Sequence, residues 1–144
     1  MAKPRKYPRV EGFQYNRNAV FDMHYHLIIV TKYRHSIIDD DIFAELKDHA
    51  IKVFETGYNC KIEAMEHNKD HIHIVFSAQP QHCISDIVRA YKGSSSRNIK
   101  TKFAGKLKPY YWKDVFWSES YMLYTTGGAP LEIVKQYVEN QRSR

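Results

Sequence analysis

The stretch His67–Ala78, "HNKDHIHIVFSA", sets the frame for the whole chain. After the turn-forming Asn68-Lys69-Asp70 the residues alternate. Ile72, Ile74 and Phe76 fall on one face of a strand, and His71 and His73 fall on the other. A strand with one apolar face needs a layer to bury it against. The preceding "CKIEAMEH", Cys60–His67, reads as its hairpin partner.

Outward from this hairpin the chain alternates between strand and helix. "VFDMHYHLIIVTKYR", Val20–Arg34, is β-branched and aromatic enough for a first strand. "DDDIFAELKDHAIKVFETG" follows, with Asp39–Asp41 at its start, Ile42, Leu46, Val53 and Phe54 at helical spacing, and Gly57 at its end. A second helix is expected to begin near Ser85 and to run into a basic segment, with a break at Gly93. "WSESYMLYTTGG", Trp117–Gly128, reads as a last strand. "APLEIVKQYVENQRSR" reads as a closing helix with Pro130 in its first turn. The order βαββαβ plus a helix predicts an α+β, ferredoxin-like (RRM-like) sandwich, with both crossover helices on one sheet face and the other face left available.

A chain of 144 residues is one ordinary domain. We divide it into a basic arm over residues 1–19 and a single domain over 20–144. The longest aliphatic run, Leu27–Val30, is far too short to span a bilayer, and "MAKPRKYPRV" lacks the apolar core of a signal peptide. Cys60 and Cys83 have neither metal nor redox spacing. A cytoplasmic protein is expected. The net charge of +6 and pI near 9.2 favour a polyanionic partner. Ile87–Lys113 carries eight basic residues (Arg89, Lys92, Arg97, Lys100, Lys102, Lys106, Lys108 and Lys113) and no acid. Tyr91, Phe103, Tyr110, Tyr111 and Trp112 are interleaved. Cations suit phosphates and rings suit unstacked bases, so this run points to nucleic acid, although a solvated basic helix over core aromatics has the same look.

His71 and His73, one strand repeat apart, can converge on one cation. "HYH", with His24 and His26 on the first strand, offers a rival pair, and spacing does not choose between them. Tyr137 continues the apolar stripe of Leu131, Val134 and Val138, which by itself marks a packing residue.

"YHLIIVTKYRH", "DHIHIVFSA", "YKGSSSRNI", "FWSESYMLYTTGG" and "IVKQYVENQ", in this order, resemble the single-tyrosine HUH (TnpA-like) transposases that mobilise the smallest bacterial and archaeal insertion sequences as single-stranded DNA. The resemblance runs from about Val20 to Gln141. It implies that His71 and His73 are the metal-binding pair, Gln141 the third ligand and Tyr137 the nucleophile. The ion it implies is Mg2+ or Mn2+. Arg89, Lys92, Ser94, Ser95, Arg97 and Lys100 are the expected DNA-binding residues. The expected substrate is single-stranded DNA with hairpin ends, cleaved and rejoined through a 5′-phosphotyrosine. Members are homodimers whose active sites combine the histidine pair of one subunit with the tyrosine helix of the other, and Gly127 and Gly128 would be the hinge. Tyr137 and Gln141 are i and i+4, neighbours on one helical face, so one helix movement would deliver both. Two other readings remain: a domesticated relative that processes chromosomal palindromic repeats, and a non-catalytic single-stranded nucleic-acid module using the open sheet face.

Overall fold

The computed structural model describes residues 10–110, 115–125 and 131–140, with backbone alone over 131–135. The N-terminal arm up to residue 9, Tyr111, Trp112, Lys113, the Gly127-Gly128 pair and Gln141 lie outside the described residues. A short hairpin comes first, β1 (Gln14–Tyr15) against β2 (Val20–Phe21). Asn16 Oδ1 closes it by accepting from the backbone N–H groups of Asn18 and Ala19 at 3.0 and 2.9 Å. β1 thus lies within the stretch expected as an arm.

The expected first strand is divided. β2 stops at Phe21, and the long strand β3 runs over His24–Val30. Between them the Met23 carbonyl accepts from Ala78 N–H, and the Asp22 carboxylate turns back to His24 Nε2 at 2.6 Å. Beyond Val30 the chain tightens into a 3-10 turn, Lys32–Arg34, in which Tyr33 and Arg34 both have φ of 57°. Helix α1 (Asp40–Ala50) starts where Asp39 Oδ1 accepts from Ile42 N–H at 2.9 Å. It continues as a π-helical stretch, Ile51–Gly57, that keeps Phe54 fully buried. β4 (Lys61–His67) and β5 (His71–Ser77) form the expected hairpin. Helix α2 (Ile84–Lys102) passes through Gly93 unbroken, contrary to the sequence expectation: an isolated glycine weakens a helix without ending it. Helix α3 (Ala104–Leu107) follows.

The last strand starts later than expected. Among the described residues β6 covers Met122–Thr125, Trp117 makes a single bridge to Thr31, and the expected end at Gly128 lies outside the described residues. Ser118 N–H donates to the Val30 carbonyl at 2.8 Å and Lys32 N–H to the Phe116 carbonyl at 2.9 Å, while Lys92 Nζ of α2 donates to the Ser118 and Glu119 carbonyls at 2.7 and 2.9 Å. Helix α4 spans Leu131–Asn140.

The sheet order is β4-β5-β3-β6 with every described pair antiparallel, the ferredoxin-like arrangement. Leu27, Ile29, Ile72, Ile74 and Phe76 meet Leu46 and Phe54 of the first helical layer and Ile87, Val88 and Tyr91 of α2 in one core. Each such side chain contributes roughly 1.5–3 kcal/mol on burial. Tyr91, expected among base-stacking rings, is fully buried there and donates to the Leu46 carbonyl at 3.0 Å. The other face is not left open. Ile28 and Val30 of β3 are covered by Val138 of α4, with Met122, Tyr124 and Tyr137 packed around them.

Candidate active site

Alternation along β5 places His71 and His73 on the face that α4 approaches. The ladder sets Val30 opposite His71, and Ile28 and Glu66 on either side of His73. The two imidazole centroids are 5.3 Å apart, with their planes inclined at 55°. His71 Nδ1 lies 2.7 Å from Asp70 Oδ1, and Asp70 Oδ2 accepts from Arg34 Nε at 2.6 Å. Burial opposes charge on Asp70, but the hydrogen bonds from His71 and Arg34 outweigh it and hold the carboxyl below its usual range. Burial, and then the neighbouring His71, lower the pKa of His73, which favours a neutral ring with a lone pair to offer. Left-handed backbone at Tyr33 and Arg34 costs about 1–3 kcal/mol each. That turn is what carries Arg34 back to Asp70.

Tyr137 belongs to the same face. Its side chain packs against the cluster of Ile28, Val30 and Val138, in which Ile28 and Val30 are the direct cross-strand partners of His73 and His71, and its Oη lies 2.8 Å from Ser120 Oγ. The nucleophile and the histidine pair expected from the sequence are therefore brought to one region by three elements. Ser120 also lines a cleft of about 480 Å³ with Lys32, Ser118 and Glu119. Arg34, Asp70 and Ser120 were not anticipated. Asp70 could have been, since it precedes His71 directly.

The rival histidines share this face but have other partners. His26 stacks on Tyr124, with centroids 4.8 Å apart and planes at 14°. His24 sits between Glu63 and Asp22, which raise its pKa in that order. Among the described residues no group of three His, Cys, Asp or Glu side chains has a metal-holding arrangement. Any ion on the histidine pair would take its further donors from other residue types or from outside the described residues.

The expected DNA-binding residues lie on α2, in the helical layer on the opposite side of the sheet. Arg89 and Arg97 are exposed. Arg97 and Lys100 line a cleft of about 310 Å³ with Gly93, Ser96 and the segment from Val115 to Glu119. Three of the expected residues have partners within the fold. Ser95 is fully buried, accepting from Trp117 Nε1 at 3.0 Å. Ser94 faces α1, bonded to His49 Nε2 at 2.7 Å and donating to the Ala90 carbonyl at 2.7 Å. The Lys92 ammonium is half-buried and engaged by two backbone carbonyls, and burial lowers its pKa.

This geometry has relatives. The chain is 31% identical over 128 residues to the ISDra2 transposase TnpA of Deinococcus radiodurans, an alignment covering 89% of this chain and 90% of that protein. A crystal structure assigned as a transposase from Deinococcus radiodurans R1 superposes with a TM-score of 0.78 at 34% identity, covering 89% of this chain and 97% of the other. The structure of a REP-associated tyrosine transposase bound to a REP hairpin shares the fold, with a TM-score of 0.55 at 14% identity, over 96% of this chain and 69% of that one. The family described as "Transposase IS200 like" matches residues 19–141. With a βαββαβ sandwich, a histidine pair on one sheet face and a tyrosine helix laid across it, the chain belongs to the IS200-like transposases.

Proposed function

We propose that this transposase cleaves and rejoins single-stranded insertion-sequence ends through a 5′-phosphotyrosine on Tyr137, assisted by Mg2+ or Mn2+ at His71, His73 and Gln141. The observation that carries the reading is that the Tyr137 side chain packs against the cluster of Ile28, Val30 and Val138, in which Ile28 and Val30 are the strand partners of the two histidines. Two imidazoles alone suit zinc, copper, iron or nickel best, and with the amide oxygen of Gln141 and a phosphate in the sphere they also serve magnesium or manganese; His71 has Nδ1 engaged by Asp70, and burial favours the neutral form of His73. Gln141 lies outside the described residues, and its role rests on the resemblance. Hairpin ends as the recognised feature are supported by family membership, and by the fold neighbour that holds a REP hairpin.

In the reaction Tyr137 Oη bonds to phosphorus as the bond from phosphorus to the 3′-oxygen breaks, leaving a free 3′-hydroxyl. One phosphodiester replaces another, so no water and no ATP are consumed, and a second 3′-hydroxyl reverses the step at a new junction. Ser120 Oγ holds the phenol in place. Lys32, in the cleft beside Ser120, brings a cation towards the same edge of the sheet. When bound, the divalent ion supplies Lewis-acid polarisation of the scissile phosphate and stabilises the leaving oxygen. The protein acts as a homodimer in which α4 can serve a partner's histidine pair.

Tyr137→Phe removes one oxygen and no packing volume. Hairpin-containing single-stranded DNA is expected to bind this variant normally while the covalent adduct, read on a denaturing gel, disappears. An adduct of unchanged yield would place the nucleophile elsewhere.

A further inference from the structure

We infer that Arg34 and Asp70 form a positioning pair that fixes the tautomer of His71, presenting an unprotonated Nε2 to the divalent ion. The inference rests on the metal-assisted reading above and extends it to two residues outside the ligand set. An ionised carboxylate only accepts hydrogen bonds, so the 2.7 Å approach of Asp70 Oδ1 to His71 Nδ1 requires the proton on Nδ1 in the neutral ring. The lone pair is then on Nε2, the nitrogen pointing away from Asp70.

Asp70 is held so that it cannot turn away. Its second oxygen is bound by Arg34 Nε at 2.6 Å, and this pair is largely shielded from solvent. Its backbone carbonyl accepts from Thr31 N–H at 2.9 Å, while the Thr31 hydroxyl donates to the His35 carbonyl at 2.7 Å. The turn just before it is tied by Ile38 N–H donating to the Lys69 carbonyl at 2.8 Å. Arg34 reaches Asp70 only through a left-handed backbone at φ 57°, an unusual conformation for arginine and one that this contact accounts for.

The test uses Asp70→Asn. Arg34 donates and never accepts, so it captures the amide oxygen of the new side chain and turns the NH2 towards His71. Nδ1 must then accept, and the proton moves to Nε2. Nitrogen-15 spectra of histidine-labelled, metal-free protein, recorded about two units above the ordinary histidine pKa of ~6.5, distinguish the two tautomers. Mn2+ affinity is followed in parallel by electron paramagnetic resonance. Expected are Nδ1–H in wild type, Nε2–H in Asp70→Asn, and Mn2+ binding weakened about ten- to a hundredfold in that variant. Adding Arg34→Gly, which the left-handed backbone accepts readily, frees the amide to flip, and the double variant is expected to regain the wild-type tautomer and much of its Mn2+ affinity. A merely structural role predicts no such rescue. Nε2–H in wild type, or an unchanged tautomer and Mn2+ affinity in Asp70→Asn, overturns the inference. Equal Mn2+ affinity in wild type and His71→Ala overturns the metal reading itself, while the metal-free spectra still decide the tautomer.

Discussion

Two cations on α2, five residues apart, have opposite assignments. Lys92 points inward and ties down the Ser118 and Glu119 carbonyls, whereas Arg97 is exposed on the rim of the same cleft. Lys92→Met keeps the aliphatic stem but strands two carbonyls, and is expected to cost about 1–3 kcal/mol in urea unfolding. The salt dependence of DNA binding should stay as in wild type. Arg97→Gln is expected to do the reverse, leaving stability within about 0.5 kcal/mol and flattening the slope of log affinity against log salt by about 0.7–0.9 for one phosphate that is no longer neutralised. An Arg97 variant with an unchanged salt slope would put the nucleic acid on another surface. Both residues read as basic positions of one run. Which of them meets solvent depends on where residues 115–119 cross α2, a long-range fact that composition does not carry.

Among the elements, α2 offers the clearest test, because it continues through Gly93. A Cβ built there would meet only the tip of the Arg97 side chain at 3.4 Å, an ordinary approach to a flexible arm. Gly93→Ala is therefore expected to stabilise the protein by about 0.5–1 kcal/mol, measured by chemical denaturation. A hinge at Gly93 would give a loss instead. The strands show what could be read in advance and what could not. β5 was legible because alternation of His71, Ile72, His73 and Ile74 is a one-dimensional signal with a period of two. α1 was legible from Asp39 and its apolar spacing. The end of β3 at Val30 was not, since the left-handed Tyr33 and Arg34 carry none of the glycine or asparagine that normally marks such a turn. For the same reason the Arg34–Asp70 pairing, between residues 36 apart in sequence, was invisible, while the histidine pair it supports could be read directly.

At the scale of the whole molecule, α4 lies on its own sheet, yet the family resemblance has it serving a partner. Its described side chains set Val138 in one cluster with Ile28 and Val30 and bond Tyr137 to Ser120. If α4 crosses to the partner, mixed His73→Ala and Tyr137→Phe subunits, each inactive alone, are expected to regain cleavage at up to half the sites, with the covalent DNA on the chain carrying the mutated histidine. If α4 stays at home, both sites of the heterodimer lack an essential group, and no mixing ratio restores activity. The position of α4 also bears on how the molecule comes apart. The main core draws its buried residues from the sheet, α1 with its π-helical continuation, α2, α3 and the segment at Phe116–Trp117, and none from the described side chains of α4. The described main core and the described cluster beneath Tyr137 are thus two separate bodies of packing, which can open with different free energies. Amides of α4 are expected to exchange with deuterium well ahead of those in β3 and β5, at an opening energy far below that of global unfolding. On the proposed reading, the attacking tyrosine would then ride on the part of the molecule expected to open first, and substitutions that loosen or tighten α4 would retune its reach without touching the described core.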